Sequence, residues 1–291
     1  MVNKIKFSLV VPTFGRKYQL GRLLLSLSEQ DFDLNEFEVI IIDQNNVIEL
    51  DNIIERYSNS LIIRYFKISY QGCSKAKNIG ISKSVGDYIS FPDDDCIYYP
   101  DTLRNAAMIF ESVPGIDYCF GRIVDRKKNI SIIRKWKNVS YKINKINLLT
   151  TYTSITLFTK NLSVLGFDEF LGPPSSGSED LDLCYKLIVN NLTGYYFPHV
   201  EVWHCELRDR LSDHKVKSYA KSFGYFCRKY LSFFTIIVIL ISVFIQIFRI
   251  LMGILQLRKG KIKHSFSSLI YRVAGFLRYS SLIKKYNSTP R

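Results

Sequence analysis

The sequence predicts an α/β protein in which a mostly parallel sheet is flanked by helices and followed by membrane-associated helices. In the first hundred residues, apolar β-branched runs alternate with amphipathic stretches. Polar or turn-forming residues follow several of these runs, and a long uncharged run lies near the C-terminal end of the chain. Near-continuous apolar strands alternating with helices are typical of βαβ units with helices on both faces of the sheet.

The predicted strands and helices follow one another in regular order. The strands are "KFSLVVP", "FEVIIID", "LIIRYFKI" and "GDYISF", and the helices are "YQLGRLLLSLSEQ", "IELDNIIERYS" and "SKAKNIGISKSV". Three strands end in Pro12-Thr13, in Asp43 and in the acids Asp93, Asp94 and Asp95. Since ligands bind at the carboxyl ends of parallel strands, we expect these groups along one edge of the sheet.

The next part of the chain predicts a hairpin around "DRKKN", a strand at "SITLFT" and one or two strands in "TGYYFPHVEVWH". Between them, "GSEDLDLCYKLIVNN" predicts a helix entered through Ser178. Glu179 and Asp180 suit its first turn, because carboxylates there complement unpaired backbone N–H groups and the helix dipole.

The C-terminal region differs in composition, and we predict two domains, residues 1–215 and residues 216–291. Residues 231–248 carry no charge and as a helix would cover roughly 27 Å, close to a bilayer core. Basic residues flank this run on both sides, which disagrees with a single crossing. A re-entrant helix, a helix lying in the interface, or a hairpin returning through "ILMGILQL" would keep both flanks on the cytoplasmic face. A buried core helix is the alternative, and "SFSSLIYRVAGFLRYSSLI" predicts an amphipathic surface helix.

Charge and cysteine content limit the partners and the compartment. The net charge of +14 predicts an anionic partner, such as acidic lipid headgroups, phosphorylated substrates or nucleic acid. Nucleic acid is the least favoured partner, because the basic residues cluster beside apolar segments and no nucleic-acid-binding motif accompanies them. Six cysteines without a CxxC pair, and no apolar run long enough for a signal peptide at the N-terminus, predict a reducing cytoplasm.

The acids in "FPDDDC" predict a metal site. Three adjacent carboxylates repel one another unless a cation or protons neutralise them, and hard oxygen ligands suit Mg²⁺ or Mn²⁺. In extended backbone Asp93 and Asp95 point the same way and can share one ion. A solvated acidic loop that caps a helix starting near Pro100 is the alternative.

Read together, the motifs resemble family 2 glycosyltransferases with the Rossmann-like, A-type nucleotide-sugar-binding fold. The resemblance rests on "SLVVPTFGR", "VIIIDQNN", "GCSKAKNIGISKSVGDYISFPDDDCIYYPDTL", "LGFDEFLGPPSSGSEDLDLCYKL" and "VEVWH", in that order over roughly residues 5 to 205. Within the family, the chain is most similar to bacterial enzymes that build capsular or lipopolysaccharide glycans.

The resemblance implies roles for individual residues. Pro12 and Thr13 would line the nucleotide pocket, Asp43 would bind the base or ribose, and Lys77-Asn78 would approach the diphosphate. The family usually has Arg-Asn at that last place, and a lysine lacks the bidentate fork of arginine. The implied substrate-binding residues are Pro12, Thr13, Asp43, Lys77, Asn78, Asp93, Asp94 and Glu179, and the implied metal ligands are Asp95, Asp93 and His204.

Asp180 is the implied general base, with Asp182 as the second candidate. Each of these residues also has an ordinary structural interpretation. Asp43 would be a strand-end residue, and Lys77 would be a lysine exposed to solvent. The three acids Glu179, Asp180 and Asp182 would complement the helix N-terminus, and His204 would be a structural histidine.

The implied function is inverting, metal-dependent transfer of a sugar, most simply from a UDP-sugar. The acceptor would be a lipid-linked glycan at the cytoplasmic face of the inner membrane, where anionic lipid attracts the basic tail. Two alternatives remain, a nucleotidyltransferase-like enzyme on the same core and a catalytically silent membrane scaffold.

Overall fold

The computed structural model describes residues 4–162, 164–171, 177–204 and 212–288, apart from the side chains at position 282 and at positions 284–288. The chain forms two compact units. The first contains Met1–Phe167 and Leu183–Leu207, and the second contains Asp168–Asp182 and Arg208–Arg291.

Strands and helices alternate through the first unit, and three long helices dominate the second. The strands are β1 (Phe7–Thr13), β2 (Phe37–Asp43), β3 (Ile62–Lys67), β4 (Tyr88–Ser90), β5 (Cys96–Tyr98), β6 (Tyr118–Asp125), β7 (Ile130–Ser131), β8 (Tyr141–Lys142), β9 (Leu157–Lys160) and β10 (Gly194–His204). The helices are α1 (Lys17–Ser28), α2 (Asp51–Ser58), α3 (Cys73–Lys83), α4 (Thr102–Ser112), α5 (Lys145–Thr151), α6 (Glu179–Val189), α7 (Asp213–Lys229), α8 (Phe233–Leu255) and α9 (Lys259–Ser288).

The sheet of the first unit has the order β3-β2-β1-β4-β9-β6-β10-β5. Strands β3, β2, β1 and β4 run parallel, whereas β9 is antiparallel to both β4 and β6, and β5 is antiparallel to β10. Every residue of β1 and β2 is buried, as expected for strands covered on both faces. The α/β prediction is confirmed, and the sheet is mixed because β5 and β9 enter it in the opposite direction.

The predicted alignment of strand ends is also confirmed. Thr13 at the end of β1 is the register partner of Asp43 at the end of β2, and β4 lies parallel to β1 on the other side. Helix α4 begins at Thr102 with Asp101 at its N-cap. The acids before β5 therefore do not cap that helix, and the capping alternative is wrong.

In the second unit α7 and α9 pack with their backbones in close contact. A Cβ at Gly224 would lie 2.2 Å from the carbonyl oxygen of Arg272, and a Cβ at Gly275 would lie 2.1 Å from that of Lys221. Any side chain larger than hydrogen would therefore push the two helices apart.

Helix α8 is long and apolar enough to span a bilayer by length and composition, and it is the one such helix among the described residues. Only 28% of its most apolar stretch is buried within the protein, so a core helix is a poor description of it. It continues unbroken to Leu255, so the alternative of a hairpin that returns through "ILMGILQL" is wrong. The chain turns at residues 256–258 and returns as α9, which contains the predicted amphipathic segment.

Candidate active site

Asp94 anchors the loop that follows β4. The Thr13 hydroxyl donates a hydrogen bond to Asp94 Oδ2 at 2.8 Å, and Arg16 Nη1 donates to Oδ1 at 2.9 Å. The residue is 4% exposed, and burial raises the pKa of its carboxyl even though Arg16 and Thr13 act in the opposite direction. Asp94 therefore ties the acidic loop to the end of β1.

Arg16 bridges two of the three acids. Its Nη1 lies 2.8 Å from Asp95 Oδ2 as well as 2.9 Å from Asp94 Oδ1. Burial alone would lower the pKa of the guanidinium, but the charges of Asp94 and Asp95 outweigh it and the pKa is raised. One guanidinium thus offsets the repulsion within the acidic run and orients the Asp95 carboxylate.

Asp93, Asp95 and His204 form the candidate metal cluster. One ligand atom from each of the three lies within 4.8 Å of the others. His204 Nε2 is 3.1 Å from Asp95 Oδ1 and 3.9 Å from Asp93 Oδ2. The histidine reaches the acids because β10 pairs with β5 in the register that sets His204 opposite Cys96.

The chemistry of these donors fits a divalent cation. Two carboxylates and one imidazole suit Mn²⁺, and the carboxylates also suit Mg²⁺. The Asp95 and His204 side chains are each 11% exposed, whereas Asp93 is 34% exposed. The more accessible Asp93 leaves room for a ligand from outside the protein.

Asp43 is fully buried at the end of β2. Its Oδ1 accepts hydrogen bonds from the backbone N–H and the side-chain amide of Asn45, at 2.8 and 2.6 Å, and its Oδ2 accepts from the Tyr65 hydroxyl at 2.6 Å. Burial, with the hydrogen bond to Asp43, raises the pKa of Tyr65 and keeps the phenol protonated. Asn45 in turn accepts from the N–H of Gly15 at 2.7 Å, which links the loops after β1 and β2.

Lys77 and Asn78 lie on α3. Lys77 is 2% exposed, donates to the Ser154 hydroxyl at 3.0 Å and lies 4.8 Å from the centre of the Phe167 ring, so the alternative of a solvated lysine is wrong. Asn78 exchanges two hydrogen bonds with the backbone of Phe167, at 2.7 and 3.0 Å.

Glu179, Asp180 and Asp182 occupy the first turn of α6, in the second unit. Asp182 is fully buried, and its Oδ1 lies 2.6 Å from Lys229 Nζ. The same ammonium lies 2.6 Å from Asp168. Glu179 and Asp180 are half-buried. An ion-paired, inaccessible Asp182 is poorly suited to receive a proton from a substrate, which leaves Asp180 as the better candidate base.

A model of the family named Glycosyl transferase family 2 matches residues 8–167, more than half of the chain. The chain belongs to glycosyl transferase family 2. The matched range contains the Thr13–Asp43 edge, Lys77 and the acidic loop.

Two relatives are similar over part of the sequence. The poly(ribitol-phosphate) beta-N-acetylglucosaminyltransferase TarS of Staphylococcus aureus is 31% identical over 109 residues, which is 37% of this chain and 19% of TarS. The GalNAc(5)-diNAcBac-PP-undecaprenol beta-1,3-glucosyltransferase of Campylobacter jejuni is 29% identical over 133 residues, which is 43% of this chain and 41% of that enzyme. The alignments thus cover less than half of each relative.

Solved structures support the A-type fold of this family 2 chain. Staphylococcus aureus TarS 1–349 in complex with UDP-GlcNAc matches 77% of this chain and 66% of its own with a TM-score of 0.60 and 21% identity. The mannosyltransferase PcManGT of Pyrobaculum calidifontis, in complex with GDP-Man and Mn²⁺, matches 99% and 76% with a TM-score of 0.59 and 14% identity. At these identities the likeness establishes the fold.

Several residues at the family 2 site were not singled out from the sequence. Arg16 lies inside the quoted motif "PTFGR", so its position after the first strand was an available signal. Tyr65, Ser154 and Lys229 gave no such signal, because each contacts a site residue that is distant in sequence. The structure brings Thr13, Asp94, Asp95, Asp93 and His204 together in the first unit.

Proposed function

We propose that this chain is an inverting glycosyltransferase that moves a sugar from a nucleoside diphosphate sugar to a hydroxyl of a glycan acceptor in bacterial surface polysaccharide biosynthesis. One observation carries the proposal: Asp93, Asp95 and His204 converge beside the Thr13–Asp43 strand edge in a chain of family 2. A UDP-sugar is the first donor to test, because TarS is described in complex with UDP-GlcNAc.

The donor would lie at the carboxyl ends of β1, β2 and β4, where ligands bind in sheets of this kind. Pro12 and Thr13 would line the nucleotide pocket, and Asp43 would contact the base or ribose with the remaining lone pair of its Oδ2. Lys77 would face the diphosphate as a point charge, and Asn78 holds the Phe167 backbone beside it. Asp94 and Glu179 would contact the sugar or ribose.

Asp95, Asp93 and His204 would hold Mg²⁺ or Mn²⁺. When bound, the cation supplies positive charge that offsets the charge developing on the departing diphosphate. Arg16 keeps the Asp95 carboxylate in place for this role through its 2.8 Å contact.

Asp180 would act as general base. Its carboxylate takes the proton of the acceptor hydroxyl while the hydroxyl oxygen forms a bond to the anomeric carbon. The bond from that carbon to the diphosphate oxygen breaks, and the nucleoside diphosphate leaves with the electron pair. A single displacement of this kind inverts the anomeric configuration.

The acceptor would be carried by a lipid at the cytoplasmic face of the inner membrane. Helix α8 exposes apolar side chains such as Leu240, Ile241 and Phe244, and basic residues flank it on both sides. Attachment through α8 and attraction of the basic flanks to anionic lipid would hold the enzyme where a lipid-linked substrate lies. The name of the Campylobacter jejuni relative includes an undecaprenol-linked glycan, which supports this class of acceptor.

The direct test is product analysis with purified full-length protein, Mn²⁺ and a panel of sugar nucleotides, read by mass spectrometry. Asp180→Asn should reduce transfer by at least about a hundredfold, since a general base alone contributes that much. Asp95→Asn would remove a carboxylate ligand of the cation and should reduce transfer by at least about tenfold, since even residues that only support a metal ligand contribute about ten- to a hundredfold. Asp33→Asn, in an exposed loop, is the matched control and should keep full activity.

The outcomes separate the alternatives. Full activity of Asp180→Asn would refute its role as base, and transfer of a nucleotidyl group in place of the sugar would favour the nucleotidyltransferase-like enzyme. If the protein binds no sugar nucleotide in the presence of Mn²⁺, the scaffold hypothesis is favoured.

A further inference from the structure

A basic pocket that is open to solvent lies at the turn between α8 and α9. The cavity has a volume of about 500 Å³ and is lined by Arg249, Arg258, Gly260, Lys261 and His264. Arg249 lies near the end of α8, Arg258 immediately precedes α9, and Lys261 and His264 lie on the first turns of α9. Residues from both arms of one helical hairpin therefore direct basic groups toward a common space.

Little negative charge opposes these groups. Among the described residues, Arg249, Arg258 and Lys261 form no ion pair, and His264 Nε2 lies 3.2 Å from Asp213. The sequence contains no aspartate or glutamate after Asp213. Arg249, Arg258 and Lys261 carry like charges that repel one another, so an anion in the pocket would be stabilised by all three.

The surroundings of the pocket indicate where the anion comes from. The same hairpin exposes large apolar side chains, with Ile254 53% exposed, Leu255 76% and Leu257 88%. Leu257 adopts a positive φ of 53°, which turns the chain sharply between the two helices. Exposed apolar residues around a cationic pocket match the boundary between acyl chains and phosphate headgroups.

We propose that the pocket formed by Arg249, Arg258, Lys261 and His264 binds the phosphate of an anionic lipid headgroup. The arginines supply planar, multiply donating groups that suit phosphate oxygens, and Lys261 supplies a point charge. The inference rests on the membrane attachment proposed above, but not on sugar transfer.

The test is vesicle flotation of the full-length protein with Arg258→Gln and Lys261→Gln combined. The matched control combines Lys215→Gln and Arg278→Gln, which remove the same charge from exposed positions on α7 and α9 outside the pocket. Each basic residue near an anionic surface is worth about a fivefold change in binding. We expect the pocket variant to bind phosphatidylglycerol vesicles at least tenfold more weakly than wild type, and the control variant to lose less than about threefold.

Lipid composition and soluble phosphate distinguish the sources of the anion. Vesicles of phosphatidylcholine containing oleate, matched in surface charge to the phosphatidylglycerol vesicles, should not reproduce the difference between the two variants. Inorganic phosphate at millimolar concentration should not displace the wild-type protein from phosphatidylglycerol. Equal losses in both variants, an equal difference on oleate vesicles, or displacement by free phosphate would each overturn the proposal.

Two further results separate failure of this inference from failure of membrane attachment. If the wild-type protein floats with no vesicle of any composition, membrane attachment itself is wrong and the pocket has no lipid to bind. If wild type floats and the pocket variant floats equally well, only the pocket assignment is wrong. Circular dichroism melting of both variants should match wild type, since Arg258 and Lys261 form no ion pair with the described residues.

Discussion

His204 shows how one residue gains its chemistry from a strand pairing. It ends β10, more than a hundred residues from the acids, and the antiparallel register with β5 brings its Nε2 to 3.1 Å from Asp95. The sequence suggested a metal ligand through the resemblance and a structural histidine otherwise. Its position beside Asp93 and Asp95 favours the ligand.

We predict that His204→Ala weakens Mn²⁺ binding by at least tenfold, because changes even in residues that only support a metal ligand cost about ten- to a hundredfold in affinity. Isothermal titration with Mn²⁺ in the absence of substrate measures the effect. His199→Gln changes a histidine on the same strand outside the cluster and should bind Mn²⁺ as wild type does. Equal affinity in the two variants would remove His204 from the ligand set.

Arg16 reduces the repulsion between the neighbouring carboxylates Asp94 and Asp95. We predict that Arg16→Gln lowers the free energy of unfolding by about 1–2 kcal/mol, below the full value for a buried pair because the Arg16 side chain is 48% exposed. Arg104→Gln breaks an exposed ion pair with Asp31 and should cost less than about 1 kcal/mol. Denaturant unfolding compares the two, and the role assigned to Arg16 is wrong if Arg104→Gln costs as much.

At the scale of elements, ion pairs of Lys229 connect the first turn of α6 to the end of α7. Its ammonium lies 2.6 Å from both Asp182 and Asp168, and the attraction of these carboxylates raises its pKa against the effect of burial. Within the second unit, the turn that carries the candidate base is therefore held by an ion pair with a buried aspartate.

We predict that Lys229→Met destabilises the protein by about 3 kcal/mol, because it leaves the fully buried Asp182 without its cation. Adding Asp182→Asn should recover part of this loss, since the unpaired charge is then gone. Lys263→Met, which breaks an exposed pair with Asp213, should change stability little. Strictly additive effects of the two changes, measured by chemical unfolding in detergent, would argue against the pairing.

The packing of α7 on α9 depends on glycine. We predict that Gly224→Ala costs about 1–3 kcal/mol despite the better helix propensity of alanine, because its Cβ would lie 2.2 Å from a backbone carbonyl that cannot move alone. Gly21→Ala in α1 is the matched control. Its Cβ would meet Ile53 at an ordinary 3.6 Å, so stability should stay the same or rise. Thermal unfolding followed by circular dichroism distinguishes them, and similar melting temperatures would mean that the close contact is absent.

For the whole molecule, the question is whether the chain is bound to a membrane through α8. Placing Lys at the centre of a membrane helix costs about 2.5–3.5 kcal/mol per residue. We predict that Ile241→Lys with Phe244→Lys moves the protein out of the carbonate-washed membrane fraction. Val47→Lys with Val85→Lys, at exposed apolar positions of the first unit, should leave it there. Retention of the Ile241→Lys/Phe244→Lys protein would refute attachment through α8.

Local patterns were sufficient for much of the fold. The alternation of apolar runs and amphipathic stretches correctly predicted β1 to β4 with their intervening helices, because each element is specified by a periodicity within its own residues. The strand β5 was not predicted at all, and the direction of β9 was not predicted, since a short strand has the same pattern whichever way it enters the sheet. The continuation of α8 to Leu255 was also not predicted, because an uninterrupted apolar segment is compatible with one long helix or two short ones.

The sequence by itself determines the family, the strand ends at Thr13 and Asp43, and the acidic run after β4, since these are local motifs in a fixed order. Only the tertiary structure decides three contacts. Arg16 forms ion pairs with both Asp94 and Asp95, His204 lies beside Asp93 and Asp95, and Asp182 forms an ion pair with Lys229. These contacts join side chains separated by 47 to 111 positions, and which side chains meet depends on sheet order, register and helix packing. No periodicity within a segment carries that information.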